Sequence, residues 1–185
     1  MGKMHAEGVT LIDLLVTVAV VAMVFAIGVP AMSEFITNNR MSAATNDLVS
    51  SLHMARAEAV RRPGPVVVCP ADDWQSANPQ CDNFGQLEDG WLVVDQSNGL
   101  NTVLYVHEPL RNDIEISGPN TLSYQGNSPP QDGGGNRADF EMTLCDYRGD
   151  HHIGGGRAAG RKLILRRPSG RPRLYDEVSE VNCGG

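Results

Sequence analysis

The stretch VTLIDLLVTVAVVAMVFAIGVPA, residues 9–31, decides the fold of this 185-residue chain. From residue 14 to residue 29 it carries no charged side chain. As a helix, residues 9–29 extend for roughly 31 Å at about 1.5 Å per residue, which matches a bilayer hydrocarbon core of about 30 Å. The sequence therefore predicts an N-terminal helix that crosses a membrane once, and it excludes an ordinary cytosolic protein.

This N-terminal region resembles the type IV pilin and pseudopilin family. The first eight residues, MGKMHAEG, form a short polar leader that ends in Gly8. The resemblance implies that a prepilin peptidase cleaves between Gly8 and Val9 on the cytoplasmic side and methylates the new N-terminus. It makes Asp13 the acidic residue at the fifth mature position and Pro30 the proline near the end of the apolar stretch. The family usually has Phe where Val9 stands and Glu where Asp13 stands.

Asp13 is the one ionisable residue in the apolar stretch. A buried carboxylate there costs on the order of 2.5 kcal/mol unless it finds a partner. We expect it to pair with the free amine of Val9 on a neighbouring subunit, which would register subunits during assembly. Two alternatives stay open: a secretory signal peptide cleaved after Ala31, and a plain anchor with Asp13 at headgroup depth.

After Pro30 the apolar residues follow helical spacing. They are Met41, Ala44, Leu48, Leu52, Ala55 and Ala59. We expect residues 31–62 to continue the helix, to a total length of roughly 80 Å at about 1.5 Å per residue. Pro30 should kink this helix, and the Arg-Arg-Pro-Gly-Pro run at residues 61–65 should end it. Met41 and Met54 are interpreted as core side chains.

Residues 63–185 contain short β-like segments between Gly, Pro, Asn and Asp clusters. The predicted strands are residues 66–69, 91–95, 102–107, 114–117, 140–145, 163–167 and 171–175. The second and third of these should form a hairpin. The glycine-rich residues 125–137 and 154–156 are predicted to be flexible loops. The expected fold class is α+β, a long helix packed on an antiparallel β-sheet domain.

Four cysteines lie in the part of the chain expected outside the cytoplasm, where disulfides persist. Three pairings are possible. We expect Cys69 with Cys81, closing a polar loop, and Cys145 with Cys183, tying the last residues to a strand. Zinc is the alternative, but the sequence has no C-x-x-C pair, and His151 and His152 lie in a glycine-rich segment. We therefore expect no metal and no cofactor.

Motif and charge patterns also limit the classes of function that the chain could have. The sequence contains none of the G-x-S-x-G, H-E-x-x-H, G-x-x-x-x-G-K-[ST] or G-x-G-x-x-G motifs, so nothing in it supports catalysis. The formal charge is −7, which excludes a nucleic-acid binder held by net charge. Residues 9–150 carry 7 basic and 18 acidic side chains, whereas residues 151–173 carry 7 basic side chains and no acidic one.

The pattern of residues 161–175, which include most of these basic side chains, predicts a strand, a turn and a second strand. Arg171 and Arg173 should project to one face, about 6.6 Å apart. Pro172 cannot donate to a ladder, so it lies either on an edge strand or where its nitrogen faces outward. Guanidinium groups so arranged suit phosphate oxygens. The alternative is a solvated face that protects a sheet edge or pairs with acidic groups or another subunit.

Four segments resemble the GspH/FimT family of minor pilins and pseudopilins. They are residues 55–62, 90–95, 140–145 and 167–173. The last contains GRPR, residues 170–173, which is similar to the Gly-Arg-x-Arg motif by which FimT-type minor pilins bind DNA for natural transformation. The resemblance implies that Gly170, Arg171 and Arg173 contact double-stranded DNA. Positive charge is added by Lys162, Arg166 and Arg167.

The resemblance also implies a location and partners. The chain would sit in the inner membrane with its C-terminal domain in the periplasm, and later in a pilus or pseudopilus at the cell surface. Its partners would be DNA, other pilins, prepilin peptidase and membrane lipid. The alternative is a subunit that primes pilus assembly, or a GspH-type pseudopilin of type II secretion, without DNA binding.

Overall fold

The computed structural model describes residues 10–82, 84–111 and 113–184, apart from the side chains of residues 30 and 31. The predicted cleavage site, Gly8 and Val9, lies outside these residues. The predicted kink at Pro30 stays a prediction. The chain divides into two compact units, Met1–Asn39 and Arg40–Gly185, each of which is described by itself.

The first unit contains the apolar part of helix α1, which spans Leu11–Arg61. Its large apolar side chains from Leu11 to Val29 are exposed. A window of this helix with a mean hydropathy of 2.6 is long and apolar enough to cross a membrane, by length and composition. Within the described residues these side chains are left uncovered by protein, which is what a lipid-facing or filament-packed segment requires.

Thr10 and Asp13 cap the start of α1. The backbone N–H and the hydroxyl of Thr10 both donate to Asp13 Oδ2, at 3.0 and 2.8 Å. The Asp13 N–H donates back to Thr10 Oγ1 at 3.3 Å. This reciprocal arrangement satisfies amides that a helix N-terminus leaves unpaired. Asp13 therefore has a role within its own chain, in addition to the predicted pairing between subunits.

In the second unit, α1 packs by the stripe that its spacing predicts. All six apolar positions, Met41, Ala44, Leu48, Leu52, Ala55 and Ala59, are buried. The assignment of Met54 to the core was wrong, because its side chain is 37% exposed. At about 100° per residue, position 54 lies well round the helix from the stripe formed by its neighbours Leu52 and Ala55.

The described residues form two antiparallel sheets on which α1 packs, so the predicted fold class is confirmed. The first sheet has the order β3-β2-β1-β5-β6 and the second the order β4-β7-β8-β9. The strands are β1 Val66–Pro70, β2 Trp91–Asp95, β3 Thr102–His107, β4 Ile114–Ser117, β5 Leu122–Tyr124, β6 Gln131–Asp132, β7 Phe140–Asp146, β8 Arg157–Arg166 and β9 Arg171–Glu177. Buried side chains from α1 and from both sheets meet in one core.

Strands β2 and β3 form the predicted hairpin, and β2 is tied to the helix. Trp91, which is fully buried, pairs with His107 across this hairpin and stacks on its ring at a centroid distance of 3.7 Å. The Trp91 indole N–H donates to Ser51 Oγ on α1 at 2.9 Å. The helix and the first sheet are therefore joined by a buried polar contact as well as by apolar packing.

Two features of the loops were predicted wrongly. Residues 125–137 are not a loop throughout, because β6 lies within them and pairs with β5. Both strands are very short, so neither shows enough alternation to be recognised from the sequence. Strand β8 also begins at Arg157, six residues before the predicted start, and its register on β9 shifts between Arg157 and Lys162.

Both disulfides form within the β domain. Cys69 is bonded to Cys81 and Cys145 to Cys183, with Cα–Cα distances of 5.5 and 5.8 Å. The second bridge holds the C-terminal segment, in which Val181 is buried, against β7. The segment that follows the basic hairpin is thereby fixed to the same sheet.

Candidate functional site

The basic residues lie on the hairpin formed by β8 and β9, with β9 at the edge of the second sheet. Arg166 pairs with Arg171, Ile164 with Arg173, and Lys162 with Tyr175. Because side chains alternate along a strand, these residues share one face of the sheet. The opposite face of β8 carries the buried side chains Arg161, Leu163 and Leu165. The cations therefore line the outer face.

The hairpin turn is built around Gly170. Its φ is +60°, a conformation that favours glycine, and its N–H donates to the Arg166 carbonyl at 2.8 Å. A Cβ at this position would lie 2.6 Å from Pro130 Cδ and 3.2 Å from Tyr124 Cε1. The Tyr124 hydroxyl donates to the Gly170 carbonyl at 3.4 Å. Gly170 is buried, and it docks the hairpin tip on the first sheet.

Four of the seven cations in residues 151–173 have partners within the chain. Arg157 pairs with Asp176 at 2.7 Å, Lys162 with Glu141 at 2.7 Å, and Arg167 with Asp139 at 3.4 Å. Arg161 is buried and donates to three backbone carbonyls, those of Ala158, Ala159 and Gly160. Burial lowers the pKa of the Arg161 guanidinium.

The remaining three cations are Arg166, Arg171 and Arg173. All three side chains are exposed, and no carboxylate in the described part of the chain lies within 4.0 Å of their nitrogens. Like charges directly opposite each other across two strands destabilise a sheet. The geometry therefore presents three exposed guanidinium groups that form no ion pair with a described carboxylate. The pKa of the Asp139 carboxyl is lowered by hydrogen bonding from Arg167 and, to a smaller extent, by the charge of Arg166.

Arg171 also lines a groove between the hairpin and α1. The groove has a volume of about 380 Å³, and its other walls are His53, Arg56, Ala57 and Val60. The four helix residues follow i, i+3, i+4 and i+7 spacing and so lie on one side of α1. A second basic side chain, Arg56, thus lies beside the hairpin.

The structure separates the predicted site residues into groups. Arg166, Arg171 and Arg173 come together on one exposed face. Lys162 and Arg167 lie nearby but are paired with carboxylates, and Gly170 shapes the turn. The acidic partners Glu141 and Asp139 were not predicted from the sequence, and neither were Arg56 and His53. The sequence does contain a signal for Arg56, because this residue directly follows the core residue Ala55 and therefore lies beside the buried stripe of α1.

The fold defines a class of protein: a long apolar N-terminal helix continuing into a disulfide-bonded antiparallel β domain is the architecture of a pilin-like protein. The chain is similar in fold to the type IV minor pilin FimU of Pseudomonas aeruginosa, solved in two crystal forms. In space group P21 the TM-score is 0.52 at 18% identity, over 81% of this chain and 99% of that one. In space group P65 the TM-score is 0.52 at 17% identity, over 77% of this chain and 99% of that one.

The family follows from the sequence match. The family described as Type II transport protein GspH matches residues 44–167, about two thirds of the chain. The chain belongs to this GspH/FimT family of pilin-like proteins. The matched region includes Lys162, Arg166 and Arg167 and ends before Gly170. No curated protein matches the sequence significantly.

Proposed function

We propose that this chain is a minor pilin of a type IV pilus that binds double-stranded DNA without sequence preference, for DNA uptake in natural transformation. The observation that carries the proposal is the set of three exposed guanidinium groups, Arg166, Arg171 and Arg173, on one face of an edge hairpin. Family membership and the fold support the pilin part.

The chemistry of DNA binding follows from the face itself. A guanidinium group donates up to two parallel hydrogen bonds to phosphate oxygens, and each cation that neutralises a phosphate releases counterions. Residues two apart on a strand, such as Arg171 and Arg173, reach neighbouring points along a backbone. Contacts of this kind position a duplex but do not read its bases, so binding is non-specific and weakens with salt.

The other basic residues have secondary roles in this proposal. Lys162 and Arg167 exchange their carboxylate partners for phosphates or add long-range attraction, since their side chains remain partly exposed. Gly170 does not contact DNA, because it is buried, but it fixes the turn from which Arg171 projects.

The cellular arrangement is part of the same proposal. Prepilin peptidase removes residues 1–8 after Gly8 and methylates Val9. Residues 9–30 anchor the chain in inner-membrane lipid, with the β domain in the periplasm. After assembly, the same helix packs among other pilins, where Asp13 pairs with a neighbouring N-terminus, and Pro30 kinks the helix where the apolar stretch ends.

Duplex binding by the full chain in neutral detergent micelles tests the proposal. Fluorescence anisotropy of a labelled DNA duplex is measured at low salt with the native chain and with the Arg171→Ala, Arg173→Ala variant. We expect micromolar binding by the native chain and a large loss in the variant. Arg111→Ala, a change of an exposed arginine at the opposite side of the second sheet, should leave binding unchanged. No binding by the native chain would overturn the proposal.

A second candidate function is favoured by the charge pattern of the outer face. The same sheet carries exposed acidic side chains on β4 and β7, Glu115 and Glu141, beside the basic hairpin. Such a face can match its complement on another subunit, as in a priming minor pilin or a GspH-type pseudopilin. In that case the double arginine variant would lose surface pili while the native chain failed to bind DNA.

A further inference from the structure

We propose that the groove between α1 and the β8–β9 hairpin carries the DNA backbone from the hairpin onto the helix, and that Arg56 contacts a phosphate there. This inference rests on the proposed DNA binding and deepens it. Arg56 and Arg171 line the same groove from opposite sides. A backbone held by Arg171 on the hairpin's outer face would therefore meet Arg56 next along its path.

The surroundings of Arg56 suit an anionic ligand. Its side chain is partly buried, and in the described part of the chain no carboxylate lies within 4.0 Å of it. Partly buried Arg62 on the same helix differs, because it pairs with Glu58 and Asp95. A partly desolvated guanidinium group without a counter-charge gains from a phosphate that supplies one.

The charge of Arg56 also acts on Tyr124, the residue whose hydroxyl binds the hairpin turn. Burial raises the pKa of the Tyr124 phenol well above its ordinary value, and the charge of Arg56 opposes this effect. The Tyr124 hydroxyl in turn donates to the Gly170 carbonyl, one residue before Arg171. Arg56 is thus near the residue that fixes the start of β9.

The remaining walls of the groove favour a backbone over a protein segment. Ala57 and Val60 are small or medium apolar side chains that can lie against sugars. His53, one turn before Arg56, offers a ring N–H donor at the far end of the same side of the helix. Three potential donors to phosphate, His53, Arg56 and Arg171, therefore surround a groove that no acidic side chain of the described residues lines.

The test compares two arginines of α1 that differ in position. Arg40 is also partly buried and lies 16 residues earlier, about 24 Å along the helix at 1.5 Å per residue. The salt dependence of duplex binding is measured for the native full chain in micelles and for Arg56→Ala, Arg56→Lys and Arg40→Ala. We expect Arg56→Ala to weaken binding several-fold and to reduce the slope of log K against log salt by about 0.9.

Each outcome is decisive. The phosphate contact is supported if Arg56→Ala lowers the slope while Arg56→Lys and Arg40→Ala both keep the slope of the native chain. A purely structural role for Arg56 would not change the slope. Equal slopes for Arg56→Ala and the native chain would overturn the inference while leaving the hairpin proposal intact. If the native chain bound no duplex while retaining its fold by circular dichroism, the hairpin proposal would fail and this inference with it.

Discussion

Arg166 and Arg171 lie directly opposite each other on β8 and β9, as the last and first residues of their strands, and share the exposed face of the hairpin. Opposite residues of an antiparallel pair have Cβ atoms about 4.5–5.5 Å apart, so the two positive charges repel. This repulsion lowers the stability of the free protein. A bound polyanion would relieve it, which explains why the two arginines lie opposite each other.

Removing one of these charges should therefore stabilise the fold and weaken binding together. Arg171 is the member of the pair to change, because the charge of Arg166 also acts favourably on the Asp139 carboxyl. For Arg171→Gln we expect the free energy of unfolding to rise by roughly 0.2–1 kcal/mol and duplex binding to weaken. Urea denaturation followed by circular dichroism, and anisotropy with the same preparation, give the two quantities.

Arg111→Gln is the control for this substitution, since it removes one exposed guanidinium far from the hairpin, and both quantities should stay at native values. A fall in stability for Arg171→Gln would contradict the account, because it would mean that the guanidinium forms a stabilising contact in the free protein.

The contact between Gly170 and Pro130 yields a second prediction. Gly170→Ala introduces a Cβ that is 2.6 Å from Pro130 Cδ at a φ of +60°. Gly99→Ala introduces the same kind of strain at a φ of +70°, with nothing within 4 Å. We expect Gly99→Ala to cost about 1–2 kcal/mol of unfolding free energy and Gly170→Ala to cost more.

Duplex binding separates the two glycine variants further. Gly170→Ala should also weaken DNA binding, because the turn that aims Arg171 must move away from Pro130, whereas Gly99→Ala should bind as the native chain does. Equal stabilities and equal affinities for the two variants would show that the close approach of Gly170 to Pro130 contributes neither to stability nor to DNA binding.

Asp95 gives a prediction for pH dependence. Hydrogen bonds from Ser97, and then the contact with Arg62, lower the pKa of the Asp95 carboxyl in the folded state below its ordinary value of 3.8. The unfolded state therefore binds a proton more readily, and stability rises with pH. The contribution of Asp95 is fully present above pH 3.8 and is lost as the pH falls through the lower folded-state pKa.

Asp95→Asn should accordingly be less stable than the native chain at neutral pH, and the difference should narrow in acid. Denaturation at a series of pH values measures it, with Asp150→Asn as the control for loss of one negative charge at an exposed turn. A stability difference that grows as the pH falls would contradict the sign of the shift.

The buried contact between Ser51 and Trp91 provides the fourth prediction. Ser51→Ala leaves the indole N–H of Trp91 without its acceptor in the core, which should cost about 1–3 kcal/mol of unfolding free energy. Ser50→Ala, at the exposed neighbouring position, should change stability by less than about 0.5 kcal/mol. Equal changes in both variants would show that the hydrogen bond to Trp91 does not contribute to stability, since the change in helix propensity from Ser to Ala is alike at the two positions.

The sequence predicts those parts of the fold that local periodicity encodes. The helical stripe from Met41 to Ala59 is fully visible in the spacing, as are β2, β3 and the turn between them. Strands β5 and β6 could not be predicted, because two or three residues do not establish alternation, and because β5 depends on pairing with β1 and β6 on pairing with β5.

The site was predictable only in part, for the same reason. The alternation in residues 170–173 places Arg171 and Arg173 on one face. The ion pairs of Lys162 and Arg167, however, depend on carboxylates that lie on β7 and in the loop before it. The approach of Arg56 to Arg171 depends on how α1 packs against both sheets. Contacts between residues far apart in sequence need the three-dimensional fold.

The salt dependence of duplex binding tests the central claim most directly. The slope of log K against log salt is measured for the full chain in micelles and for the Arg171→Ala, Arg173→Ala variant. If both arginines neutralise phosphates, the variant's slope should be shallower by about 1.8, or about 0.9 for each contact. Equal slopes, or a native chain that does not bind at low salt, would contradict the assignment of this hairpin to DNA.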